Sequence, residues 1–322
     1  MTGTHPAGSR EPAATGAGVR GPLAPIALFV HRRLGHAQRT LEALANNDGA
    51  LNSDLIVFSD GPRTEAELGD VTAVRRHLRT VVGFRSVTVV ERDQNLGLAN
   101  SITAGVTQVL RERDRVIVME DDLVTSRFFL RFMNEALDYY EADERVASIH
   151  GYVYPVEQPL PETFFLRGAD CWGWACWRRS WRLFNPDGHH LISELRRRGL
   201  TREFDLDGSY KYTRMLKDQI AGANDSWAIR WHASAFLQDK LTLYPGRSLV
   251  HNVGNDLSGR HGIDTRIYDV ELAPTPIHVG GVAVEESRAG RAAFIQFMRR
   301  RGSRRSPRRL LAHLLRRLRG SA

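Results

Sequence analysis

The chain has 322 residues, 42% apolar and 25% charged, close to the average of soluble globular proteins, which excludes disorder as the state of the whole. Its formal charge of +8 is concentrated at one end: residues 299–319 hold ten arginines and no acid, so the rest is slightly acidic and the basic face of a nucleic-acid-binding domain is not expected. No run reaches the roughly 20 apolar residues that span a bilayer, and residues 1–22, rich in Gly, Ala, Pro and Thr, lack the apolar centre of a signal peptide, so a cytoplasmic protein is expected.

From Pro25 onward apolar runs alternate with helical periods. Ile26–Val30 reads as a strand before a helix over Leu34–Leu44, and Leu55–Phe58 as a strand before a helix near Glu65–Leu78. Val87–Val90 precedes Leu98–Leu110, and Val116–Met119 precedes Phe128–Tyr140. Four β-then-α units predict the α/β class, with a mostly parallel, doubly wound sheet and helices on both faces. In such a sheet ligands bind beyond the carboxyl ends of the strands. The four tips there are His31, Arg32 and Arg33; Ser59, Asp60 and Gly61; Arg92 to Asn95; and Glu120, Asp121 and Asp122. All are polar or charged, and their shared rim makes them candidates for a binding site.

The alternation ends after Val146, and all six tryptophans lie between Trp172 and Trp231. Trp177 and Trp181 have the spacing of one helix face and read as core. Trp172 and Trp174 flank Gly173, which predicts a turn presenting rings to an open site. Cys171 and Cys176 match neither a redox pair nor a four-ligand zinc site and are expected as reduced, packed thiols. A strand-like LTLYP at 241–245 leads into HNVGNDLSGRHG at 251–262, read as a long functional loop.

Three consecutive carboxylates after the buried run VIVM repel one another and require a positive partner. Mg²⁺ or Mn²⁺ is one, because these cations take hard oxygen ligands and share them with substrate phosphates. The other reading is a solvated acidic turn before the next helix, capped by Thr125 or Ser126. The string VIVMEDDL, with NLGLANSI before it and SRFFLRFMNEAL after it, resembles the donor-binding core of the GT-A glycosyltransferases. It looks closest to the inverting N-acetylglucosaminyltransferases that extend N-glycans and to bacterial relatives in polysaccharide gene clusters. The resemblance runs, with gaps, from about Ile26 to about Gly262.

That resemblance implies a Rossmann-like GT-A fold and transfer of a sugar, with inversion, from a UDP-linked donor to a glycan or lipid-linked acceptor. It makes Asp122 the metal ligand and places Glu120 and Asp121 at the sugar or ribose. His31, Arg32 and Arg33 then contact the nucleotide, Asp60 the uracil ring, Asn95 the same donor site, and Gly173 and Trp174 the sugar. The family's catalytic aspartate matches Asp225 in NDSWAIRW, although Asn224 and Ser226 stand where the eukaryotic enzymes have a tryptophan and a second aspartate. Asp225 as an N-cap of the following helix is the competing reading. A Ser-His-Gly loop matches Ser258 to Gly262 only approximately, leaving His261, or else His251, to complete the shell of a Mn²⁺ or Mg²⁺ ion.

These readings divide the chain into a disordered segment at 1–22, a nucleotide-sugar-binding half at 23–150, an acceptor-side half at 151–290, and a helix with a basic tail at 291–322. In the tail, Leu310, Leu311, Leu314, Leu315 and Leu318 fall on one helical face, so 304–319 reads either as a weak contact for anionic membrane or as a solvated tail. Two competing functions stand beside the transferase. A sugar nucleotidyltransferase needs a Gly-rich phosphate loop after the first strand, which His31–Gly35 lacks. A non-catalytic membrane or nucleic-acid adaptor would depend on the tail alone.

Overall fold

The computed structural model describes residues 22–256 and 266–304. In the first half, β1 (Ile26–Val30) leads into α1 (Leu34–Ala45), β2 (Asp54–Ser59) into α2 (Leu68–Leu78), and β3 (Ser86–Glu91) into α3 (Leu98–Glu112). β4 (Arg115–Glu120) continues through a short β5 (Leu123–Thr125) into α4 (Phe129–Tyr139). The second half runs β6 (Val146–His150), β7 (Thr163–Arg167), β8 (Trp174–Trp177), α5 (Arg178–Trp181), α6 (Gly188–Arg197), α7 (Thr201–Phe204), α8 (Tyr212–Ile220) and α9 (Trp227–Leu237). It ends with β9 (Leu241–Pro245), β10 (Val250–Asn252) and α10 (Arg288–Arg304).

Eight strands form one sheet in the order β3-β2-β1-β4-β8-β6-β9-β7. The first four are parallel, as their βα connections require. β8 then runs antiparallel to both β4 and β6, β6 is parallel to β9, and β7 is antiparallel at the edge. Two reversals around β8 leave β6 pointing the same way as β4. The carboxyl ends of β1 to β4, β6 and β9 therefore share one rim with the amino end of β8. This is the expected α/β architecture, a parallel half joined to a mixed half.

The central strands are covered on both faces, which is why they read as unbroken apolar runs. Ile26 and Leu28 of β1 pack with Leu41 and Leu44 of α1 and Phe129 and Met133 of α4. Ala27 and Phe29 face the other way, onto Ile102 and Val106 of α3 and Trp231 of α9. Gly105 lets α3 approach this second face, since a Cβ there would lie 2.6 Å from the ring of Phe29, which stacks on Phe58.

Trp177 and Trp181 are buried, but not on one helix face. Trp177 closes β8 and faces the first core, whereas Trp181 ends the short α5 and faces the second. Strand pairing of 174–177 with β4 overrides the helical spacing. The acidic turn is followed by β5, paired with β10, and α4 is entered without a side-chain cap of its own. Asn47 instead accepts from the N–H of Leu130 at 2.9 Å. No helix among the described residues is long and apolar enough to cross a membrane. Residues 1–21, 257–265 and 305–322 lie outside the described residues, and with them the expected N-terminal segment, His261 and nearly all of the basic tail.

Candidate functional site at the strand rim

The rim is built from the turns that leave β1, β2 and β4. β1 pairs with β4 so that Phe29 lies opposite Glu120, which sets the His31–Arg33 turn beside the three acids. Arg33 answers the charge of the triplet: one Nη2 bonds Asp121 and also donates to Asp122 at 2.8 Å. The backbone N–H of His31 serves the Asp121 carboxylate too. Burial opposes the charge on Arg33, but Asp121 and Asp122 outweigh it and raise the guanidinium pKa above its usual value. The positive partner demanded by the sequence is therefore supplied from within the chain.

Compensation is uneven across the triplet. Burial, followed by repulsion from Asp122 and Asp121, pushes Glu120 up to about 8, with Arg33 only partly opposing it. Burial likewise raises Asp121, to about 6, despite the Arg33 ion pair. Burial thus favours the protonated form of Glu120 more than in an ordinary carboxyl, and in that form it can donate a hydrogen bond. Asp122 sits under the next strand pair: its carbonyl accepts from Val253 at 2.8 Å, and a Cβ at Gly254 would collide with its carboxylate. His36 of α1 reaches Asp256 of the same loop at 3.2 Å.

No group of three or more His, Cys, Asp or Glu side chains able to hold a metal is found among the described residues. The Asp121 and Asp122 oxygens that converge on one Arg33 nitrogen are nevertheless hard donors of the kind that share Mg²⁺ or Mn²⁺ with a substrate phosphate. Two carboxylates are too few to hold a cation by themselves, so a cation here would need further ligands from a bound substrate.

On the other side of β1, Asp60 follows β2 and is nearly buried. Its carboxylate accepts from the N–H groups of Gly61 at 3.1 Å, Leu96 at 2.9 Å and Gly97 at 3.1 Å. It thereby holds the turn entering α3, where a carboxylate also complements the helix dipole. Asn95 donates to the Gly61 carbonyl at 2.8 Å and lies 3.2 Å from His31 Nε2. Burial lowers the pKa of His31, with Glu67 pulling the other way. Arg32 points away from the triplet, 3.4 Å from Glu67 and 3.9 Å from Asp70.

Asp225 precedes α9. A Cβ at Gly97 would lie 3.5 Å from its Oδ2, which places Asp225 beside the turn that Asp60 holds. The N-cap of α9 is Ser226, whose hydroxyl accepts from Ile229 at 3.2 Å, so Asp225 is not the cap. Gly173 has φ +68° and no room for a side chain between Val250, Phe129 and Met119. The expectation that Trp174 presents its ring to an open site is corrected: it is 0% exposed, stacked with Trp227 at 5.5 Å and packed near Trp181 and Trp231. Pairing with Val118 of β4 and His150 of β6 turns that ring into the core. The partly exposed ring is Trp172, edge-on to Tyr152 and Tyr268. His251 lies in β10, with Nδ1 accepting from Val270 at 3.3 Å.

The sequence reading passed over Glu67, which braces His31 and Arg32, and over Asp170, which precedes the CWGW string. Only position in that string marked Asp170, since its neighbours come from distant segments. Both cysteines are free; burial, then Asp170 and Glu120, raises the Cys171 thiol well above its usual pKa.

No protein-family model matches the sequence, and no curated relative matches it. Among solved structures, a mannosyltransferase from Pyrobaculum calidifontis in complex with GDP-Man and Mn²⁺ is 19% identical and overlaps 45% of this chain and 39% of its own, with a TM-score of 0.32. TarS from S. aureus is 14% identical over 45% of this chain and 24% of its own, with a TM-score of 0.29. This chain therefore spans well under half the length of either. At such low TM-scores the overlaps carry no argument about chemistry.

Proposed function

We propose that this chain is a glycosyltransferase of the GT-A type that moves a sugar from a nucleotide-diphosphate donor, UDP-linked, to a hydroxyl of a glycan or lipid-linked acceptor, with inversion. The observation that carries the reading is the convergence on one rim of Arg33, Asp60, the Glu120–Asp122 triplet and Asp225, each from a different strand end or helix entry. That rim is where α/β sheets bind nucleotides. The motif strings around the triplet supply the chemical class.

In this reading Arg33 faces the diphosphate, and His31, Asn95 and the Asp60 turn shape the base pocket, with Arg32 at its outer edge. Glu120 contacts a sugar or ribose oxygen, beside Asp121. Gly173 admits the close packing that keeps the sugar-side wall in place, and Trp174 supports it from the core. Asp122, with the donor's phosphates and His261, would hold a Mn²⁺ or Mg²⁺ ion, which when bound would supply Lewis-acid stabilisation of the leaving diphosphate. Asp225 takes the proton from the acceptor hydroxyl as that oxygen bonds the anomeric carbon and the opposite bond to the diphosphate breaks. The carboxylate later returns the proton to solvent.

The workplace is the cytoplasm of a bacterial cell, in polysaccharide assembly, with 304–319 adding a weak contact to anionic lipid. A thermal-shift panel of nucleotide sugars with and without Mn²⁺ tests the core of the reading. A UDP-sugar should raise the melting temperature only with metal, and Asp122→Asn should abolish that rise. Indifference to every nucleotide tested would remove the proposal.

A further inference from the structure

Beside the donor rim lies a second polar centre that none of these roles uses. Residues 168–173 cross the sheet from the end of β7 to the start of β8. The crossing is pinned where Thr242 donates to the Gly168 carbonyl at 2.7 Å and where His232 Nδ1 and the Ala169 carbonyl lie 2.7 Å apart. Asp170 stands at its middle. Its Oδ1 accepts from the Cys171 N–H at 2.8 Å, while Oδ2 faces Nε2 of His150 at 3.8 Å, beyond hydrogen-bond length. His150 is 0% exposed, and neither ring nitrogen has a hydrogen-bond partner. A fully buried, unsatisfied imidazole is costly, and it is aimed at the one carboxylate within reach.

The surroundings say what this carboxylate can take. Tyr152, Tyr154, Tyr212 and Tyr244 all lie within its field, and the partly buried ring of Trp172, edge-on to Tyr152 and Tyr268, lies two residues away. Cys171, next to Asp170, feels Glu120 and Asp122 as well, so this centre adjoins the donor triplet on the side where Trp174 pairs with β4. A carboxylate that accepts hydroxyls, beside an aromatic face that covers C–H groups, is the chemistry that recognises a pyranose.

We propose that Asp170 and Trp172 form the acceptor subsite, binding a pyranoside through its hydroxyls and one ring face, with His150 as a positioning residue whose N–H closes onto Asp170 when the site fills. This rests on the glycosyltransferase reading and names its acceptor class. Buried His150 is held neutral, since burial lowers its pKa against the pull of Asp170, so it steers the carboxylate without adding a charge.

Saturation-transfer NMR on the full chain, with methyl glycosides of glucose, galactose, mannose and N-acetylglucosamine as probes, tests this. At least one probe should bind wild type, bind about tenfold or more weakly to Asp170→Asn and Trp172→Ala, and still bind Asp122→Asn. His150→Leu, which has no donor, should weaken the same probe, and His150→Gln, whose amide N–H can take the place of Nε2–H, should restore part of it. The UDP-sugar thermal shift must persist in Asp170→Asn, which shows that the variant folds. If no glycoside binds while the nucleotide shift is present, or if Asp170→Asn binds glycoside like wild type, this inference falls and the transferase reading stands. If neither probe binds wild type, both fall.

Discussion

Arg33 does in the protein alone what a cation is proposed to share in the complex. It holds Asp121 and Asp122 with one nitrogen, so its removal leaves two largely buried carboxylates unpaired. Arg33→Met should cost about 3 kcal/mol of stability, and Mn²⁺ should recover part of it, both read from urea unfolding with and without metal. Glu120 sets a pH dependence of its own. Its pKa is about 8 in the folded chain against an ordinary 4.5, raised chiefly by burial, so the folded state binds its proton more tightly than the unfolded state. The stability linked to this group is full below about 4.5 and lost as pH rises to about 8. Glu120→Gln should flatten the unfolding free energy across that interval; an unchanged slope would mean that Glu120 is not the group responsible. Asp225→Asn should lower transfer about 10²- to 10⁴-fold while leaving the nucleotide thermal shift intact, since the carboxylate is assigned to the acceptor proton and not to donor binding.

At the scale of elements, the turn into α3 depends on a residue from another strand. Asp60 accepts from Leu96 and Gly97, so Asp60→Ala should destabilise by about 1–3 kcal/mol. It should also speed amide exchange at Leu96 and Gly97, with β1 unaffected. If exchange there stays slow, the turn is held by its own geometry. The α9 entry is local by comparison: Ser226 caps its own helix, which keeps Asp225 out of the cap and leaves its carboxylate beside Gly97. Helices and strands of the first half were legible because each is a two-sided apolar run or an amphipathic period whose cause lies within a dozen residues. β5, β6, β7, β8 and β10 were not, since short strands outside a strand-then-helix repeat acquire their identity from their partners. WACW looks helical until β4 and β6 flank it.

Across the whole molecule, β8 joins the parallel half to the mixed half through ladders with β4 and β6, so strands from both expected halves share one sheet. Tryptophan fluorescence and far-UV circular dichroism should therefore report one coincident unfolding transition for this sheet. Two separated transitions would show that the halves melt independently.

The sequence by itself determined the four strand-then-helix units up to Tyr140, though not the short β5 among them, and the polar character of each strand tip. It also identified the acidic triplet as a place that needs positive charge. Those follow from periodicity and from repulsion between neighbours in the chain, which are local. Only the tertiary structure decided that Arg33 meets that charge, that Asp60 and Asn95 brace the loop beside it, and that Trp174 is core while Trp172 keeps a partly exposed ring. It alone brought His150 against Asp170. Each of these depends on which segments a sheet places side by side, and strand pairing acts between residues far apart in the chain, where spacing holds no information.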